Sequence, residues 1–173
     1  MCSSDLAPNK ILQGINAFKG VGRRFTRVGA WNGTAIIDDY AHNPFKIAAA
    51  LKAARQAYSG PVVAVVQPHR YTRLRDTFEQ FCTCLNDADV VVVAPVYAAG
   101  EQPIEGINRD TYAEGLRAHG VRDVRTINGP DDLTPVIAQT AKPGGVVVCL
   151  GAGSITGWAA NLENALKQSG AQS

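Results

Sequence analysis

Three segments limit what this chain can fold into: "PVVAVVQ" (61–67), "DVVVVAP" (89–95) and "GVVVCLG" (145–151). A strand with one wet face alternates apolar and polar residues. These do not alternate, so each strand must be covered on both faces, which is the signature of a parallel sheet between helical layers. The connections agree. Helical patterns run from about Pro44 to Tyr58, Arg73 to Asn86, Arg109 to His119, Pro130 to Thr140 and Ile155 to Gln168, with a weak strand, "DVRTI", among them. Upstream, "RRFTRVGA" and "TAIIDD" flank Trp31-Asn32-Gly33, and Asn-Gly between strand patterns marks a hairpin. The expected architecture is α/β and doubly wound: a mostly parallel six-stranded sheet with one antiparallel edge strand.

At 173 residues the chain fits one domain with a normal core. A net charge of +2, with no basic block, argues against a nucleic-acid partner. No apolar run reaches the ~18 residues of a membrane span, and no signal peptide is visible, so a cytoplasmic location is expected. "MCSSDLAP" shows no periodicity and reads as a non-native or disordered leader over 1–8; "NKILQGINAFK" (9–19) reads as a helix ended by Gly20 and Gly22. Cys82 and Cys84 form a C-x-C with no second pair or histidine nearby, so buried reduced thiols are expected and no metal site.

In open α/β sheets, ligands bind beyond the carboxyl ends of the strands. Unusual polar chemistry falls at four such ends: "DDYAHNP" (38–44), "QPHRYTR" (67–73), "PVYAAGE" (95–101) and "GAGSI" (151–155). Asp38 and Asp39 have two readings, as caps of the helix at Pro44 or as working carboxylates. Arg70 and Arg73 lie three apart at a strand-to-helix junction, where two guanidiniums and a helix dipole suit a carboxylate or phosphate. His69 is open between a structural and a binding role. "GAGSI" continues as G-x-G-x-x-x-G, a poor dinucleotide fingerprint; tight strand–helix packing is the better expectation. The chain contains no G-x-x-x-x-G-K-[ST], so anion receptors stand here without a P-loop.

"FKGVGRRF", "DDYAHNP", "QPHRYTR", "VYAAGEQPIEG" and "GAGSIT", in this order, resemble the C-terminal domain of the Mur ligases over about residues 10–168. The resemblance is strongest in "QPHRYTR" and "VYAAGE", toward the branch that joins L-alanine to UDP-N-acetylmuramate. It implies a Rossmann-like domain at 22–170, preceded at 9–21 by the last helix and linker of a central ATPase domain, with an N-terminal UDP-sugar domain further upstream. It implies ATP and Mg2+ as cofactors, the metal held mainly by the central domain, and a role in bacterial cell-wall synthesis. Residue by residue, it implies that Arg24, Asp39 and Tyr40 contact the nucleotide. His42, Arg70 and Arg73 would receive the L-alanine carboxylate, with Asn43 and His69 as further candidates. Many members of that branch read D-D-Y-G-H-H-P-T-E; this chain has Ala41, Asn43, Phe45 and Lys46 instead. The alternative is a stand-alone α/β module that binds an anionic metabolite and catalyses nothing.

Overall fold

The computed structural model describes residues 22–170. The leader at 1–8 and the helix expected at 9–19 lie outside the described residues.

Strands β1 (Thr26–Trp31) and β2 (Thr34–Asp39) form the expected antiparallel hairpin. Asn32 and Gly33 turn the chain with φ of 47° and 73°. Two successive left-handed residues make the turn whose twist matches that of the strands, and Asn and Gly adopt it at the lowest steric cost. β2 then pairs in parallel with a strand from the far end of the chain. With β3 (Val62–Val66), β4 (Val90–Val93), β5 (Val124–Thr126) and β6 (Val146–Leu150), the sheet order is β1-β2-β6-β3-β4-β5, and only the β1–β2 pair is antiparallel.

The apolar runs are explained by two cores. Val62, Ala64, Val66, Val146, Val148 and Leu150 point to one face, and Val63, Val65, Val147 and Cys149 to the other. Four helices cover the first face: α1 (Pro44–Ala57), α2 (Tyr71–Asp76), α3 (Phe78–Thr83) and α4 (Arg109–Ala118). Two cover the second, α5 (Pro130–Thr140) and α6 (Ile155–Gln168). Each buried valine contributes about 1.5–3 kcal/mol of transfer free energy, so neither face of β3 or β6 has room for an unpartnered polar side chain. Val148→Asp would place an unpaired charge between the layers and unfold the domain.

The single helix expected near 73–86 is two short ones. The break is at Thr77 (φ −128°), whose hydroxyl donates to the Arg73 carbonyl at 2.8 Å. A Thr side chain that satisfies the preceding turn itself competes with helix continuation. The break turns Phe78 and Cys82 onto α4 at Gly115, where a Cβ would stand 2.6 Å from the Cys82 sulfur and 2.9 Å from the Phe78 ring. Burial raises the thiols of Cys82, Cys84 and Cys149, to about 11, 12 and 12. They therefore stay protonated at neutral pH and are poor nucleophiles.

Candidate functional site

β6 lies between β2 and β3, so the connection from β2 to β3 steps over it. The crevice above such a step is where doubly wound sheets bind ligands. All four polar clusters lie along this edge, and the rings of Tyr40, His42, His69 and Tyr97 form a row across it. Tyr40 and His42 meet edge-on at 4.9 Å, His42 and His69 are 5.9 Å apart, and His69 stacks on Tyr97 at 5.5 Å. The row passes over the β6 tip because Gly153 leaves room: a Cβ there would be 2.4 Å from Tyr97 Cγ and 2.6 Å from Gln67 Oε1. Gln67 joins the two tips, donating to Ser154 Oγ and accepting from the Ile155 N–H. The glycines of "GAGSI" thus serve close packing, as expected.

The acids at the end of β2 do not cap α1. Asn43 does, its side chain accepting from the Lys46 N–H at 3.0 Å. This also gives Asn43 a local task in place of a second imidazole. Asp39 accepts from the Ala41 N–H and the Phe25 N–H, both at 2.7 Å. It ties the incoming chain to the strand tip, and the residue is 8% exposed. Asp38 is buried deeper, accepts from the Thr156 hydroxyl at 3.3 Å and sits 3.6 Å from Arg23 Nε. Burial raises its pKa, opposed by the Arg23 charge and the Thr156 hydrogen bond.

Arg23 is a residue that sequence reasoning missed. Its guanidinium lies 4.6 Å from the Tyr40 ring centroid and donates to the Gly151 carbonyl at 3.1 Å, so it joins Tyr40, Asp38 and the β6 tip. Arg24, the arginine singled out from the pair, is exposed with its guanidinium 5.9 Å from the same ring. Arg23 takes φ of 61° and is half-buried, while Arg24 is exposed. No sequence signal separates adjacent arginines in this way.

The end of β3 carries the arginine pair expected to receive an anion. Arg70 has φ 73° and ψ 135°, a backbone region nearly reserved for glycine, and its N–H is held by the Tyr97 carbonyl at 2.8 Å. Its side chain is exposed. Arg73 is half-buried and donates through Nη1 to the His69 carbonyl (2.9 Å) and to His69 Nδ1 (3.1 Å). Among the described residues, neither guanidinium is in an ion pair. The expected help from a long helix dipole is small, because α2 has six residues. The Thr72 N–H of its first turn is also already taken, by Glu101.

The two histidines are held as opposite tautomers. His69 Nδ1 faces a guanidinium, which only donates, so Nε2 carries the proton. His42 Nδ1 faces the Tyr40 carbonyl at 2.7 Å, so Nδ1 carries the proton and Nε2 presents a lone pair. Burial, first of all, lowers both pKa values; Arg73 lowers both further, while the Tyr40 carbonyl partly offsets the shift at His42. Both rings are therefore neutral at pH 7. The site offers an anion the Arg73 guanidinium held by His69, the exposed Arg70 guanidinium and an N–H donor, beside a neutral acceptor suited to an N–H group. His42, expected to hold a carboxylate, can do so only in its protonated form. Among the described residues, no three His, Cys, Asp or Glu side chains come together as a metal-holding group. No helix among them is long and apolar enough to cross a membrane.

This fold and this edge define a doubly wound α/β domain with paired arginines and histidines at its topological switch point. The model of the family described as "Mur ligase, glutamate ligase domain" matches residues 23–153, and the chain belongs to that family. It is 61% identical over 165 residues to the UDP-N-acetylmuramate–L-alanine ligase of Bradyrhizobium sp. (strain ORS 278), a match covering 95% of this chain and 35% of the relative. The chain thus spans about a third of the length of the curated relatives it matches. Among solved structures, it is similar to the UDP-N-acetylmuramate-alanine ligase of Thermotoga maritima (TM-score 0.71, 26% identity, 92% of this chain and 33% of that one). It also resembles a ligase domain from Haemophilus ducreyi solved by itself (TM-score 0.61, 26% identity, 83% of this chain and 99% of that one).

Proposed function

We propose that this chain is the amino-acid- and nucleotide-contacting C-terminal domain of an ATP-dependent ligase that joins L-alanine to UDP-N-acetylmuramate. The observation that carries the reading is the pair Arg70 and Arg73: two guanidiniums without ion pairs among the described residues, one of them on strained backbone, at a sheet edge built for ligands. An amino acid that must attack through its amine can be held only by its carboxylate and side chain. The methyl of alanine supplies about 1 kcal/mol on burial. Most of the affinity therefore falls to the carboxylate, at roughly 1.5–3 kcal/mol for each charge-assisted hydrogen bond.

In this reading Arg70, the Nε and Nη2 groups of Arg73, and the His69 Nε2–H bind the carboxylate. His42 Nε2 accepts from the amine and keeps its lone pair directed at the electrophile. That electrophile is the acyl phosphate formed when ATP phosphorylates the lactyl carboxylate of the sugar nucleotide. The amine adds to the acyl carbon and phosphate leaves. Tyr40 packs on the adenine and Arg24 reaches the phosphates, with Asp39 beside the ribose. The ATP-phosphorylating machinery and the sugar site belong to the remainder of the ligase, and this domain's edge excludes water from the acyl phosphate as it closes over it.

The test is a chimera in which this chain replaces the matching third of the Bradyrhizobium ligase, assayed by alanine-dependent phosphate release. Arg70→Ala and Arg73→Ala should each raise the alanine KM about 10- to 100-fold, at ~1.4 kcal/mol per factor of ten. ATP and UDP-sugar dependence should change little. An alanine KM unmoved by both substitutions overturns the reading.

A further inference from the structure

The loop after β4 meets the start of α2 through one side chain. Glu101 accepts from the Thr72 N–H through Oε2 at 3.0 Å and from the Thr72 hydroxyl through Oε1 at 2.6 Å. Thr72 stands between Arg70 and Arg73. A second tie runs beside it: the Arg70 N–H donates to the Tyr97 carbonyl, and the Tyr97 N–H donates to the Pro68 carbonyl, both at 2.8 Å. The His69 ring lies stacked on Tyr97. The loop itself is shaped for this contact, since Ala99 and Gly100 take φ of 52° and 87° and the Glu101 N–H returns to the Ala98 carbonyl at 3.0 Å.

From this geometry we infer that Glu101 is a positioning residue for the carboxylate receptor, acting through Thr72 on Arg70 and Arg73; the inference rests on the function proposed above. A strained residue such as Arg70 relaxes unless its neighbours hold it. Tyr97 holds its N–H side, and Glu101 holds the residue that follows. The clamp also closes an alternative binding mode. With the Thr72 N–H occupied by a carboxylate of the protein, an incoming carboxylate must use the guanidiniums. Hydrogen bonds from Thr72, chiefly its hydroxyl, keep the Glu101 pKa below the usual carboxylate range, and Arg70 adds to that. The clamp is therefore ionised throughout the neutral range. Its charge lies close to Arg70 without pairing with it, which orients that guanidinium while leaving its donors for a ligand.

The experiment uses the same chimera with Glu101→Gln, Glu101→Asp, Thr72→Val and Thr72→Ser, beside Arg70→Ala and Arg73→Ala. Glu101→Gln keeps the shape and loses the charge; it should raise the alanine KM about 5- to 20-fold, with kcat and the ATP KM within twofold. Thr72→Val should do the same, the double variant should be no worse than either single one, and Thr72→Ser should restore the parent value. Glu101→Asp, too short to span the gap, should behave like Glu101→Gln. An alanine KM unmoved by Glu101→Gln, while the arginine variants raise it, overturns the inference and leaves the proposed function standing. Equal losses in kcat and in all three KM values also overturn it, because they indicate a folding role. If the arginine variants leave the alanine KM unmoved, the proposed function itself falls. In the 173-residue chain, the Thr72 amide proton should move upfield in Glu101→Gln by nuclear magnetic resonance, and an unmoved amide removes the clamp whatever the kinetics.

Discussion

Arg70→Gly should make the domain more stable and the site worse. Arg70 sits at φ 73°, ψ 135°, and a side chain in that region costs about 1–3 kcal/mol. Its side chain is exposed and, among the described residues, makes no ion pair, so removing it forfeits little. Glycine relieves the strain but brings an unfolded-state entropy cost of about 0.5–1 kcal/mol. The net gain should be about 0.5–2 kcal/mol. At roughly 2–4 °C per kcal/mol for a domain of this size, the midpoint of thermal unfolding rises by about 1–8 °C. Arg70→Ala is the control, since it deletes the same charge and keeps the Cβ. The assay is calorimetric and urea unfolding of the 173-residue chain in three forms: parent, Arg70→Gly and Arg70→Ala. The glycine form should exceed the alanine form by the same margin, about 0.5–2 kcal/mol, and both should show the raised alanine KM in the chimera. If Arg70→Gly is no more stable than Arg70→Ala, the backbone there is unstrained and the argument from strain to function is refuted.

Asn43→Ala should lower stability by about 0.5–2 kcal/mol through loss of the α1 cap, and the alanine KM should stay unchanged; a raised KM would give Asn43 a ligand role. Asp39→Ala should destabilise the chain by about 2–4 kcal/mol in urea, without any nucleotide present, because it orphans the Phe25 and Ala41 N–H groups. If that loss is absent and only the ATP KM rises, Asp39 is a nucleotide residue alone. For His42 and His69 the sign follows from their lowered pKa values, whereas His119, raised first by the Gly115 carbonyl, slopes the other way and is common to every form compared. The unfolded chain binds protons near pH 6.5 while the folded chain resists them. Their contribution to stability is complete above pH 6.5 and is lost as pH falls from there through the lower folded values. Urea midpoints between pH 5 and 7.5 should show this slope, and His42→Asn with His69→Gln should flatten it; an unchanged slope would show that the rings titrate normally.

Much of the fold could be read from local chemistry. The valine runs required two covered faces, Asn32-Gly33 required a hairpin, and Pro44, Pro130 and Ile155 opened the helices they were expected to open. Strand order could not be read so, because β6 enters between β2 and β3 only through backbone pairing across the whole chain. The helix break at Thr77 lies in its backbone angles, which the continuous helical pattern of the sequence does not carry.

At the site the division is similar. Residue types at strand ends were enough to indicate which polar side chains would share one edge, because the sheet edge gathers whatever follows each strand. What each side chain does there was settled by contacts between segments distant in sequence. Arg23, rather than Arg24, bonds to Gly151 and lies beside Asp38, and the Glu101 carboxylate reaches Thr72 from another loop. His42 and His69 hold opposite tautomers because one meets a carbonyl and the other a guanidinium. Composition and periodicity determine which faces are buried, since burial is a sum over many similar residues. Roles at a site depend on single distances of about 3 Å, which only the packed chain sets.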